Sequence, residues 1–250
     1  MVFNSIYFLL FFMLFATAYF LLPPRVKAYF LLGSSYLFYL FYGVEQFLFL
    51  LVLTIINFYF SRILVRSKNR TRLVSLMILF NLILFIGLKY GNFITLNLNG
   101  LLAEFEIPTQ IPLLNLIVPL GISYFMFKKI SYLIDIQRGQ IVPEQQFVHY
   151  ANYITFFPQI VAGPIDRGRS LIPQLKRGSE FNSNLVSDGL QLFLWGLFKK
   201  VVIADRISEF IIPFFNRPER FNGIELLIAL FLFSIQIYSD FSGYTDMAIG

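Results

Sequence analysis

The chain has 250 residues, of which 57% are hydrophobic and only 14% charged, and its mean hydropathy is +0.70. A typical globular domain carries about 25% charged residues, so disorder and an ordinary soluble protein are excluded and an integral membrane protein is indicated. Zero Cys excludes disulfides, thiolate metal sites and cysteine nucleophiles; the single His149 excludes a multi-histidine metal site; and a balance of +6 in so apolar a chain marks basic membrane loops rather than nucleic-acid binding.

A helix needs about 20 apolar residues to cross a hydrocarbon core about 30 Å thick. Residues 3–22 are uncharged and lack a basic n-region, so they are predicted to form a retained first span rather than a signal peptide. Ala28–Val44, Gln46–Ser61 and Leu73–Leu88 follow as three further uncharged blocks. The connections alternate in charge: Arg25 and Lys27 are basic, Glu45 acidic, Arg62, Arg66, Lys68, Arg70 and Arg72 strongly basic, and Glu104 with Glu106 acidic. Basic loops inside put the N-terminus outside. Residues 91–112 are expected to form a polar external connection, and Leu113–Ile134 a fifth span ending near Lys128, Lys129, Asp135 and Arg138.

Beyond residue 135 the apolar blocks shorten. Phe147–Ile165 contains Pro158, Gly163 and Pro164. Such breakers at membrane depth are tolerated where protein or a watery cavity covers them. Residues 150–175 therefore form either a re-entrant segment or a cytoplasmic loop flanked by interfacial helices. Leu190–Ala204 holds Lys199 and Lys200, and Leu226–Tyr238 runs apolar into Asp240, Tyr244 and Asp246. If that last helix continues, Asp240 and Tyr244 share a face. Asp240 is then predicted to point inward and to pair with Arg167 or Lys199, because an intramembrane carboxylate seeks a cation. The fold class expected is all-α: a polytopic transmembrane helical bundle, its second half re-entrant or broken, forming one membrane domain over residues 1–250.

The run from Tyr153 to Ile165 (YITFFPQIVAGPI), with Arg167, Pro173 and Gln174, resembles the membrane-bound O-acyltransferases, most of all their alginate O-acetyltransferase branch. Three more stretches agree: Pro119–Ser123 with Ile130–Asp135, Gly196–Asp205, and Asp240–Gly250. Lys128, Ser239 and Asp166 depart from that branch, and Asp166 is similar to the teichoic-acid D-alanylation relatives. The resemblance implies transfer of an acyl group, acetyl above all, from a thioester donor (CoA or carrier-linked) to hydroxyls of a cell-envelope polymer or exopolysaccharide. It implies a bacterial inner membrane, polysaccharide or periplasmic acetylation partners, no tightly bound cofactor and no metal. Family members are about twice this length and keep their catalytic histidines further on. No catalytic residue is expected within 1–250, and the chain is expected to be the N-terminal part of a longer enzyme, inactive alone. His149 matches no catalytic position.

Arg167, Lys199, Lys200, Asp240 and Tyr244 are the tunnel or donor-binding candidates, since cations attract a phosphate-bearing donor. The competing role is ion pairing or positive-inside anchoring, which suits Arg169 better. Pro158, Gly163 and Pro164 shape the backbone, and Gly243 permits close helix packing. The alternatives are a D-alanylation-type enzyme, a transporter or flippase, for which broken helices and intramembrane charges also speak, and a membrane scaffold.

Overall fold

A computed structural model describes residues 5–114, 117–160 and 163–250. Every long regular element among them is helical: α1 (Ile6–Leu21), α2 (Pro24–Leu40), α3 (Val44–Arg66), α4 (Arg70–Glu104), α5 (Ile122–Gln137), α6 (Phe147–Thr155), α7 (Phe157–Ile160), α8 (Gly168–Arg177), α9 (Ser183–Phe198), α10 (Asp205–Asn216) and α11 (Gly223–Ile249). A π-helical turn, Lys199–Ala204, joins α9 to α10. Val44–Val65, Arg70–Glu104 and Gly223–Ile249 are each long and apolar enough to cross a membrane. With the composition, they make this an all-α membrane protein.

Two compact units form. One comprises residues 1–27, 161–164 and 179–250; the other comprises 28–160 and 165–178. In the second unit, α3 and α4 lie against each other and bury a reciprocal amide pair. Asn81 Nδ2 donates to Asn57 Oδ1 at 3.3 Å, and Asn57 Nδ2 donates back at 3.4 Å. Small polar side chains of this kind join apolar helices that gain little from hydrophobic contact alone.

Two expectations are corrected here. α4 runs unbroken to Glu104, through the first fourteen residues of the 91–112 stretch expected to be a connection, and at about 1.5 Å per residue its 35 residues span about 52 Å. The fifth helix starts at Ile122 rather than Leu113. The physical reason lies in the asparagines of the α4 tail. Asn99 donates from Nδ2 to the Ile111 carbonyl (2.9 Å), and its Oδ1 accepts from the Ile111 amide (2.8 Å). Asn92 holds both groups of Leu114 in the same way, at 2.9 and 3.0 Å. Seven helical residues rise about 10.5 Å, and three extended residues cover about 10 Å. Two asparagines two turns apart therefore match Ile111 and Leu114, three residues apart, and residues 111–114 are strung as a strap along the helix with the backbone groups of those two residues bonded.

Just ahead of α5, the Leu120 amide donates to Gln46 Oε1 (3.1 Å) and its carbonyl accepts from Tyr39 OH (2.6 Å). Gly121 then begins α5 with φ +66°, and a Cβ there would lie 2.2 Å from the Ile160 carbonyl oxygen. Only glycine meets both demands.

In the first unit, α9 and α11 meet along glycines. A Cβ on Gly196 would fall 2.5 Å from the Gly243 carbonyl oxygen, and one on Gly189 would fall 2.5 Å from that of Gly250. The spacing is seven residues on both helices, so the small residues meet in register every two turns and the backbones touch. Elsewhere in this unit Lys27 Nζ donates to the Ser179 carbonyl at 2.7 Å, and the Ser179 amide donates to Tyr19 OH at 3.3 Å.

Candidate functional site

The second unit has a polar interior centred on α5. Tyr124, Lys128, Tyr132 and Asp135 fall on one face at helical spacing, and all are buried. Lys128 has no exposed surface. Its ammonium donates to the Tyr153 carbonyl (2.8 Å) and to Gln159 Oε1 (2.9 Å), between the rings of Tyr153 (4.8 Å) and Tyr124 (5.0 Å). Tyr153 lies in the last turn of α6, where carbonyls lack helical partners and the helix dipole favours a cation. Gln159 also accepts from Tyr124 OH (2.9 Å) and donates from Nε2 to Asp166 Oδ2. Pro158 sits in α7, just past the break at Phe156 that ends α6 and brings Gln159 round to Lys128. Gly163 and Pro164 lie in the irregular stretch that leads towards α8. Lys129, the neighbour, is also fully buried; its Nζ has no hydrogen-bond partner and lies 4.8 Å from the Phe125 ring.

Arg167, ahead of α8, donates from Nη1 to Asp135 Oδ1 and Ser131 Oγ, each at 3.0 Å. Asp135 is wholly buried while half of the Arg167 side chain is exposed. Arg169 is exposed. The Nδ1 of His149 is buried without a partner, and burial pushes its imidazole below the usual value. The nearby Glu144 is committed to Lys176 (2.6 Å) and to the amides of Gln145 and Gln146.

The first unit holds the other candidates. α11 continues through residues 240–249, so Asp240 and Tyr244 lie one turn apart on it. Asp240 is paired, but its partner is Lys200, not Arg167 or Lys199. Lys199 bonds Asp246 Oδ2 (2.7 Å) and Ser242 Oγ (2.9 Å). Lys200 bonds Asp240 and, at 2.9 Å, Asp205, with the Tyr244 ring 5.1 Å away.

The π turn explains the second acid on Lys200. In an α-helix, residues five apart point about 140° from each other; one π turn carries an i→i+5 bond and aligns them. The Asp205 amide bonds the Lys200 carbonyl, and the two side chains meet on the same face. Gly243 lets the backbones close: a Cβ there would be 2.8 Å from the Gly196 carbonyl oxygen and 3.3 Å from Lys199 Cβ. Two ammonium groups thus face three carboxylates.

Sequence reasoning did not single out Lys128, Gln159 or Asp135 as a cluster. Their signal was the repeat of Tyr124, Lys128, Tyr132 and Asp135 at steps of four, four and three on an otherwise apolar segment. Among the described residues, no group of three His, Asp or Glu side chains is placed to hold a metal ion.

No protein-family model matches the chain. It is similar over its whole length to the protein named "Probable alginate O-acetylase AlgI" of Azotobacter vinelandii, at 32% identity over 255 residues and 50% of that protein. It is 33% identical over 257 residues to the peptidoglycan O-acetyltransferase of Helicobacter pylori, covering 91% of this chain and 48% of that one. A shorter match, 33% over 141 residues, joins 54% of the chain to 35% of the teichoic acid D-alanyltransferase of Bacillus subtilis. The chain spans about half the length of the curated relatives it matches. It belongs to the membrane-bound O-acyltransferase family, in its alginate O-acetyltransferase-like branch.

Proposed function

We propose that these 250 residues are part of an enzyme that transfers an acyl group, acetyl, from a thioester donor to hydroxyls of a cell-envelope polymer or exopolysaccharide at a bacterial inner membrane. The observation that carries this is the match of the whole chain to alginate O-acetylases and nearly all of it to a peptidoglycan O-acetyltransferase. In this reading the reactive histidine, able to take the hydroxyl proton near neutral pH, belongs to sequence outside residues 1–250. The two units supply packing and counter-charges. Lys199 and Lys200 are covered by carboxylates, and Arg167 by Asp135. These pairs support an ion-pair role over capture of a phosphate-bearing donor. The N-terminus lies outside and the 62–72 loop inside; cysteines placed at Glu45 and Ser67 then label from opposite faces of sealed vesicles.

Transfer is tested by supplying membranes with radiolabelled acetyl thioester and polysaccharide. Membranes holding a longer gene product that contains this chain label the polymer, and those holding residues 1–250 alone do not. Labelling by residues 1–250, abolished by His149→Ala, would overturn the reading. The D-alanyltransferase match and Asp166 favour a second acyl group; D-alanyl thioester in the same assay separates the two.

A further inference from the structure

Arg62 stands at the far end of α3, eighteen residues past Val44. That is about 27 Å along the axis, close to the thickness of a hydrocarbon core. Beside it a half-open cavity of about 300 Å³ is lined by Tyr59, Arg62, Ile63, Val65, Val142 and Gln145. Its apolar wall residues face outward: Val142 is 82% exposed, Tyr59 58% and Ile63 57%, with Arg62 and Gln145 as the polar part of the lining.

The cation in this groove has no carboxylate of its own. Arg62 rests over the Phe58 ring at 5.6 Å, and among the described residues no acidic side chain forms an ion pair with it. The acid nearest in the lining sequence, Glu144, is saturated by Lys176 and two backbone amides. Lys68, Arg70 and Arg72 follow on the adjoining turn, and Arg70 caps the Val65 carbonyl (2.9 Å). A cationic head-level group above apolar walls is complementary to an amphiphile of opposite charge, and basic clusters beside a span attract anionic lipid.

We propose that this groove holds one anionic phospholipid, its phosphate on Arg62 beside Ile63 and Val142 and one acyl chain running back past Tyr59 along the apolar length of α3. The inference is independent of the acyl-transfer reading, since the groove shares no residue with the paired charges described above.

Lipid retention by the reconstituted, purified protein tests it, measured by native mass spectrometry with phosphatidylglycerol, phosphatidylcholine or water-soluble glycerol phosphate. Phosphatidylglycerol should be retained about fivefold over phosphatidylcholine, the worth of one interfacial Arg. Arg62→Gln should bring the two lipids level. Val142→Asp, on an exposed loop position that leaves Arg62 in place, should do the same by repulsion. Arg220→Gln, an exposed arginine outside the basic cluster, should leave the preference intact. Equal retention of both lipids by the unaltered protein, an Arg62→Gln protein that keeps the preference, or full displacement by glycerol phosphate would each overturn the proposal.

Discussion

Each unit contains a pair of adjacent lysines in an apolar helix, and Lys128 of one pair is accommodated by means opposite to those that hold Lys199 and Lys200. Lys128 and Lys129 are buried completely, and Lys128 is held by neutral acceptors, a carbonyl and an amide, between two aromatic faces. Lys199 and Lys200 keep some contact with the surface and are met by carboxylates from α11 and α10. A buried ammonium is stable where its donors are satisfied, as those of Lys128, Lys199 and Lys200 are; among the described residues, Lys129 Nζ has only the Phe125 ring beside it. A helix end with orphan carbonyls can satisfy an ammonium without counter-charge; a helix middle, whose carbonyls are already bonded, has to import acids. A double lysine in a span is therefore no signature of ligand binding until its partners are known.

The largest effect is expected where the neutral cradle is broken. Gln159→Leu removes an acceptor from Lys128 and Tyr124 and a donor from Asp166. It should cost about 3 kcal/mol, because an ammonium stripped of a partner in the interior bears most of its desolvation penalty. Lys128→Met removes the charge itself and should cost less, about 1–2 kcal/mol. Denaturation of both variants in one detergent checks the order. If Lys128→Met proves the more damaging, the cation stabilises through its ring contacts rather than through its hydrogen bonds.

A double-mutant cycle on Lys199 and Asp246 comes next. Either single change, Lys199→Met or Asp246→Leu, leaves a partly buried charge alone, while the double change leaves none. A coupling energy of about 1–2 kcal/mol is expected. Additive losses would mean that the glycine seam, rather than the ion pairs, holds α9 against α11.

The helical class was legible in the apolar runs; the continuity of α11 through Asp240 was not, because the run alone suits a helix that stops near residue 239, and it was the resemblance of Asp240–Gly250 that favoured continuation. Of the seam only the close packing at Gly243 was expected; Gly189 and Gly196 stand seven apart in the sequence, as do Gly243 and Gly250, but which helix meets which is not a local property. The tail of α4 was not legible. Gly91, Asn92, Asn97, Asn99 and Gly100 have the composition of a loop, and nothing local reveals that two of the asparagines are sockets for a strap residing a dozen or more residues later. The partner of Asp240 was missed for a related reason. Sequence periodicity assumes 3.6 residues per turn, and the π turn after Lys200 brings Asp205 to it as well, while which lysine meets which acid of α11 follows from the glycine contact between α9 and α11, a non-local fact.

The smallest effect isolates that π turn. Lys200 has two acids: Asp240 from α11 and Asp205, aligned with it only because the intervening turn is widened. The Asp205 side chain is 39% exposed, so solvent screens the pair, and such pairs contribute about 0.2–1 kcal/mol. Asp205→Asn should therefore lower stability by about 0.5 kcal/mol, and the loss should shrink further in high salt as screening grows. Asp240→Asn, which removes the tie between the two helices, should cost more than Asp205→Asn in the same buffer. An Asp205→Asn loss equal to that of Asp240→Asn, and indifferent to salt, would instead show that Asp205 holds the π turn itself in place. The second acid on Lys200 would then be the cause of the widened turn rather than its consequence.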